Sequence, residues 1–266
     1  MVFNPETIAR ALMPKEILAE AGSSHLALFL ADGVSDVAVF RDGKTIWTEA
    51  FQIEHSGNYL EEEIEFCLNR NWHERVFRKV TISTHTKIFT LVPDAFFDEG
   101  KLRELLRFHS GKVIAEANHI RVGELGLYLI DEKINSLESF ERLWPNIHHF
   151  PLAALWLKYS FSKLQIGSDN LMAFHAFNTL YIAAYKQDEL QLFNAYFAAS
   201  PEDVLYYLSS VCMNLHIHMD SCHLGIIADS QTLAILDPYF MHVHELSPEQ
   251  QAPSSSFHLF VQMLCA

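Results

Sequence analysis

The residues best equipped for chemistry in this sequence are histidines. Of the 15 among 266 residues, four form two His-x-His pairs: His216 and His218 in LHIHMDSCHL, and His242 and His244 in MHVHEL. If each pair lies on a strand, alternation of side chains puts both imidazoles on one face. Two such pairs on neighbouring strands would offer four nitrogens to a zinc ion. The plainer reading is surface histidines at polar positions of amphipathic strands, because proximity in sequence does not make ligands converge. On that reading no bound metal and no cofactor are expected. His148 and His149, just before Phe150, read as a loop. The four cysteines (Cys67, Cys212, Cys222, Cys265) show neither CxxC spacing nor disulfide-rich density. No GxSxG elbow marks a serine nucleophile. Asp32-Gly33, in LADGVSD, joins a carboxylate to the residue that lets backbone N–H groups approach a phosphate. The same dipeptide is favoured in a two-residue hairpin turn, which asks nothing of it chemically.

Charge removes several partner classes. With 33 acidic against 19 basic residues the formal charge is −14, which repels a phosphate backbone unless the basic residues gather on one face. The densest basic run, HERVFRKV around Arg75 to Lys79, reads as a solvated helix end or loop. Nucleic acid is therefore not an expected partner. Nothing approaches about 18 consecutive uncharged apolar residues, so no membrane span is expected. The opening MVFNPETIARALMPKEILAEAG lacks a basic start followed by an apolar run. The expectation is a cytoplasmic protein with reduced thiols.

The elements that must position these residues occur twice. LALFLADGVSDVAVFRDGKTIWTEAF begins at Leu26, and LMAFHAFNTLYIAAYKQDELQLFNAYF begins at Leu171, 145 positions later (171 − 26). At that offset Phe29 meets Phe174, Val37 meets Ile182 and Phe40 meets Tyr185. Further along, Cys67 meets Cys212, Asn69 meets Asn214, His73 meets His218, Ile82 meets Ile227 and Pro93 meets Pro238. Apolar residues match by chance in a half-hydrophobic chain, whereas Cys, Asn, His and Pro in one ungapped register do so far less often. Each copy reads as three strands joined by turns such as RDGK (Arg41 to Lys44), then a helix, then a buried-type strand. The second helix opens SPEDVLYYLSSVC, with Ser200 as N-cap, Pro201 in the first turn, and Glu202 and Asp203 at the positive end. Cys67 and Cys212 fall on the apolar faces of the two matching helices, where a thiol acts as a small hydrophobe. The expected division is a 1–23 N-terminal segment, a 24–165 first lobe and a shorter 166–266 second lobe, with about Arg121 to Lys163 peculiar to the first.

Three antiparallel strands, a helix and a further strand open a ribonuclease H-like unit, and two in tandem resemble the actin-like ATPase fold. THTKIFTLVPDAFFDEGKL, the most distinctive stretch, resembles an uncharacterised domain family of unknown function found in Bacteroidetes. That resemblance implies an α/β fold with mixed sheets, two ribonuclease H-like lobes and the actin-like ATPase architecture. It transfers no activity. In active members of the fold, two β-hairpin tips, one per half, cradle nucleotide phosphates with Asp and Gly. Here the first tip holds Asp32 and Gly33, whereas the second reads HAFNTL, with neither residue type. Beyond Gly167 the sequence has one glycine, Gly225. The leading expectation is thus a non-catalytic, actin-like protein-interaction module with a degenerate nucleotide site. The alternatives are a weak nucleotide hydrolase using Asp32 or a histidine-based metal enzyme.

Overall fold

Short runs of Leu, Val, Phe and Ala separated by two-residue turns become an antiparallel meander in the computed structural model, which describes residues 13–31, 34–52, 67, 71–85, 87–133, 137–246 and 257–265. After a single helical turn, α1 (Lys15–Ala19), come β1 (His25–Ala31), β2 (Val34–Arg41) and β3 (Lys44–Gln52). Asp42 and Gly43 join β2 to β3 with φ of 49° and 73°. Two left-handed residues make the type I′ turn that matches strand twist. β4 (Lys79–Thr84) then adds to β1 in parallel. Next come β5 (Phe89–Pro93), α2 (Leu102–Ser110), β6 (Ala117–Val122) and β7 (Leu127–Glu132), which form a separate antiparallel sheet in the order β5-β7-β6. The first half closes with α3 (Leu137–Leu143), β8 (Ile147–Pro151) and α4 (Leu152–Phe161).

The second half repeats the plan: β9 (Asn170–Ala176), β10 (Thr179–Lys186), β11 (Glu189–Phe197), α5 (Pro201–Leu215), β12 (His223–Ile227), α6 (Ser230–Leu236), β13 (His242–Glu245) and α7 (Phe257–Cys265). β9, β10 and β11 begin and end 145 residues after β1, β2 and β3. The sheets have matching orders, β3-β2-β1-β4-β8 and β11-β10-β9-β12-β13. Even the left-handed residue preceding the next segment recurs, as Asn71 (φ 54°) and His216 (φ 53°). α5 starts as its sequence demands. The Ser200 hydroxyl accepts from the Asp203 N–H, the Asp203 carboxylate accepts from the Ser200 N–H, and Pro201 occupies the first turn. In the first half the corresponding helix, apart from buried Cys67, lies outside the described residues.

Two details differ from the sequence reading. β4 pairs His25 with Lys79, but β12 pairs Asn170 with His223, so the offset has fallen to 144. Ile82 therefore corresponds to Ile226 rather than Ile227. The segment without a counterpart is also different. α3 and β8 match α6 and β13 in order and in sheet position, so the extra piece is the β5-β7-β6 sheet with α2, not Arg121 to Lys163. Pro93, at the end of β5, has no topological equivalent. A strong local resemblance survives such an insertion, but an ungapped register does not.

By contacts the chain forms two compact units. In the first, α3 covers one face of the β3-β2-β1-β4-β8 sheet, where Leu26, Leu28, Val37, Val39 and Ile82 pack with Phe140 and Trp144. α7 packs on β1, β2 and β4 and belongs to the same unit. The second unit holds the β11-β10-β9-β12-β13 sheet, α4 from Ala153, α5, α6 and the inserted sheet. One face of its main sheet buries Leu171, Ile182 and Ile226 against Val204, Leu208 and Cys212 of α5. The other face is aromatic: Trp156 of α4 meets Phe174 (5.7 Å between centroids), and Phe89 of the inserted sheet meets Phe193 (5.2 Å). The inserted sheet has its own core, with Leu102 and Leu106 of α2 against Val92 and Ile130. Gly225 leaves room for the Met172 side chain, since a Cβ there would sit 2.6 Å from its sulfur.

Candidate functional site

The second hairpin tip is fully described. Ala176 pairs with Thr179, leaving Phe177 and Asn178 as the two central residues, with φ of 54° and 53°. Asn tolerates this conformation, whereas a Cβ-bearing ring such as Phe pays about 1–2 kcal/mol for it. The turn is held in place: the Asn178 carbonyl accepts from the Ala198 N–H at 3.0 Å, and the His175 ring lies 3.0 Å from the Ala198 carbonyl. Its residues supply no carboxylate and no glycine. At the first tip, Ala31 pairs with Val34, so a two-residue link closes that hairpin too. Asp32 and Gly33 themselves lie outside the described residues.

Just past that tip the first sheet turns polar on the face that receives α7. Gln262, fully buried on α7, donates through Nε2 to the Leu28 carbonyl (3.0 Å) and to Ser83 Oγ (2.8 Å). A carbonyl only accepts, so the amide orientation is determined, and Oε1 must face Thr81. Thr81 donates its hydroxyl proton to Oε1 at 2.8 Å. With that proton committed, the 2.8 Å contact between Thr81 Oγ1 and His25 Nε2 requires the imidazole to be the donor. Burial, with the charges of Lys79 and His148 adding to it, pulls His25 down to about 4 and keeps the ring neutral. Beside this chain, His258 Nε2 of α7 lies 2.5 Å from Asp36 Oδ2, with both side chains buried. The His258 ring packs on Phe29, 4.1 Å between centroids. The equivalent face of the second sheet carries Tyr181, Gly225 and Ile227 at the positions of Asp36, Thr81 and Ser83. At these three positions the polar side chains of the network are present in the first unit and not in the second. Sequence reasoning passed over the network. The available signal was His258 and Gln262, four apart and so on one face of an otherwise apolar helix, FHLFVQMLC.

Residues 19–243 match the family described as "Protein of unknown function (DUF3822)". The chain belongs to this family. Its structure is similar to a Bacteroides thetaiotaomicron protein with actin-like ATPase fold and unknown function. The two share 14% identity over 94% of this chain and 98% of the other, with a TM-score of 0.78. The fold of this DUF3822 chain is therefore the actin-like ATPase fold, in mixed α/β sheets. Lower similarity, at a TM-score of 0.47, extends to the cytoplasmic domain of EpsL, an inner membrane component of the Vibrio cholerae type II secretion system (12% identity, 92% of this chain and 96% of that one). It extends equally to the AlfA filament from a Bacillus subtilis plasmid (9% identity, 91% and 99%). No curated protein matches the sequence.

The two His-x-His pairs of this DUF3822 chain do not share a strand arrangement. His216 caps the C-terminus of α5, and His218 sits in the following turn, its carbonyl accepting from the Ser221 and Cys222 N–H groups. His242 and His244 do lie on β13, but their neighbour is His223 of β12, which belongs to neither His-x-His pair. The His223 ring stacks on His242 (5.2 Å, 24°) and on His244 (5.8 Å, 14°). Stacked rings turn their faces to one another rather than their lone pairs to a common point. Among the described residues no group of three His, Cys, Asp or Glu side chains is placed to hold a metal ion. Burial and the charges of His242 and His244 lower the pKa of His223. His149, expected in a loop, is on β8, where its Nε2 lies 2.8 Å from Thr84 Oγ1 and burial lowers it to about 4.

A buried carboxyl and the pairing of two buried thiols were not anticipated. Asp131, opposite Phe89 in the inserted sheet, is fully buried, and among the described residues its carboxyl has no hydrogen-bond partner beyond its own backbone N–H. Burial, with the Glu132 charge adding to it and that N–H opposing, pushes the group up to about 7. Cys212 and Cys222 share the second unit's core as free thiols. Their mutual hydrogen bond pushes Cys212 up, as does burial, and pulls Cys222 down.

Proposed function

We propose that this chain is a non-catalytic protein-interaction module that keeps the actin-like body and has lost its nucleotide clamp. The observation that carries the reading is the second hairpin tip. A phosphate clamp in this fold draws on both tips, with backbone N–H groups aimed at the phosphates and carboxylates holding the hydrated Mg²⁺. Phe177-Asn178 does not fit that task. A Cβ on each residue limits the backbone approach that glycine permits, the turn is anchored through Ala198, and the tip has no acid. The formal charge of −14 adds long-range repulsion toward a polyanionic nucleotide, though salt screens much of it. Large apolar side chains exposed around the inserted sheet, Phe96 in the turn after β5, Phe108 on α2 and Val113 in the loop after it, support a surface that serves a protein partner. Calorimetric titration with Mg-ATP tests the reading. No binding heat is expected. Micromolar affinity that disappears in Asp32→Ala would show that the first tip suffices, and the clamp would then be functional.

A further inference from the structure

We infer that the outer face of α2, in the inserted subdomain, is a docking surface for an acidic peptide segment carrying one bulky apolar anchor. The inference rests on the interaction-module reading above and names the place and the partner's chemistry. α2 turns Leu102 and Leu106 into the subdomain core, which leaves Arg103, Glu104, Arg107 and Phe108 on the solvent side. Beside them the chain turns at left-handed Gly111 and returns through Lys112 and Val113 to Ile114. Arg103, Glu104, Arg107, Val113 and Ile114 line a depression of about 210 Å³. That is below the 300–1,000 Å³ of a small-molecule pocket but suits a single anchoring side chain. Val113 of that lining is 88% exposed, and Phe108, one helical turn on from Glu104, is 93% exposed.

Charge decides the occupant. In a chain of formal charge −14, this face carries Arg103, Arg107 and Lys112 against Glu104. Among the described residues neither arginine side chain enters an ion pair or hydrogen bond. Two unpaired guanidiniums flanking an apolar hollow match carboxylates that flank an apolar residue. An anionic membrane fits less well. The leucine face of α2 is spent on the core, and the net charge opposes a phospholipid surface.

The test is selection of random peptides displayed on phage against the full chain, followed by titration of the synthetic winners. Winners rich in Asp and Glu around one aromatic or branched residue are expected. Their affinity should fall about ten-fold in Arg103→Glu/Arg107→Glu and several-fold in Phe108→Ala, and should weaken as salt shortens the Debye length from about 8 Å toward 3 Å. These positions are exposed, so the variants should keep the wild-type melting temperature. Winners whose binding ignores both variants overturn this surface and leave the interaction module standing. Mg-ATP binding lost in Asp32→Ala overturns the module and leaves the peptide result intact. Co-sedimentation with phosphatidylglycerol vesicles that is lost in Arg103→Glu/Arg107→Glu overturns the peptide in favour of a membrane.

Discussion

Asp131 shows how much one side chain can set against the fold that holds it. A carboxyl raised from 3.8 to about 7 by burial is disfavoured in its charged form. Between those two values the folded chain holds a proton that the unfolded chain has released, so stability falls as pH rises through that window and levels off above it. The penalty at pH 8 reaches up to about 4 kcal/mol. Asp131→Asn should therefore be close to neutral near pH 4 and increasingly stabilising toward pH 8, measured as the difference in urea midpoint from wild type. A gap that does not grow with pH would mean the carboxyl finds a partner. His25 and His149 act in the opposite direction. Each is lowered to about 4, so their contribution is complete above 6.5 and is lost as pH falls toward 4. Nothing in LYLIDE, an alternating strand with an acid near its end, distinguishes Asp131 from a solvated residue. Only the face it shares with Leu129 and Phe89, packed inward, does so.

The element that most needs its polar residues is α7. Gln262 satisfies Thr81, Ser83 and the Leu28 carbonyl together, and a buried network is valuable only while every member is paired. Gln262→Ala removes all three partners and leaves a cavity, so a loss of about 2–4 kcal/mol is expected. Chemical denaturation reads that loss directly. A loss below about 1 kcal/mol would indicate that water replaces the amide. The contrast with α5 is instructive. Its cap, its proline and its apolar face were all legible in SPEDVLYYLSSVC, because each depends on residues within four positions of one another. Gln262 and Thr81 are 181 positions apart, and no local pattern joins them.

At the scale of the molecule, the last helix completes the first unit. α7 follows β13 in sequence, yet it packs on β1, β2 and β4. Its Phe257, Leu259, Phe260 and Val261 are buried, each worth about 1.5–3 kcal/mol, against a net domain stability of about 5–15 kcal/mol. Deleting residues 251–266 should therefore unfold the first unit while the second unit's own cores persist. In limited proteolysis, early cuts should fall within residues 25–84, with fragments from 153–246 protected. Equal protection of both would show that α7 is dispensable.

By itself the sequence determined the local and repeated structure: the two meanders, their left-handed turns, the capped second helix and the acid-free second tip. Periodicity, turn chemistry and capping act over a few residues, so they can be read along the chain. Tertiary structure alone decided the one-residue slip at β12, the placement of the inserted subdomain in the middle of the first half, the stacking of His223 with His242 and His244, and the closure of the first sheet by a helix from the far end. Each of these depends on which faces bury one another. That choice is made by long-range packing and by satisfying buried polar groups, and it leaves no periodic trace in the order of the residues.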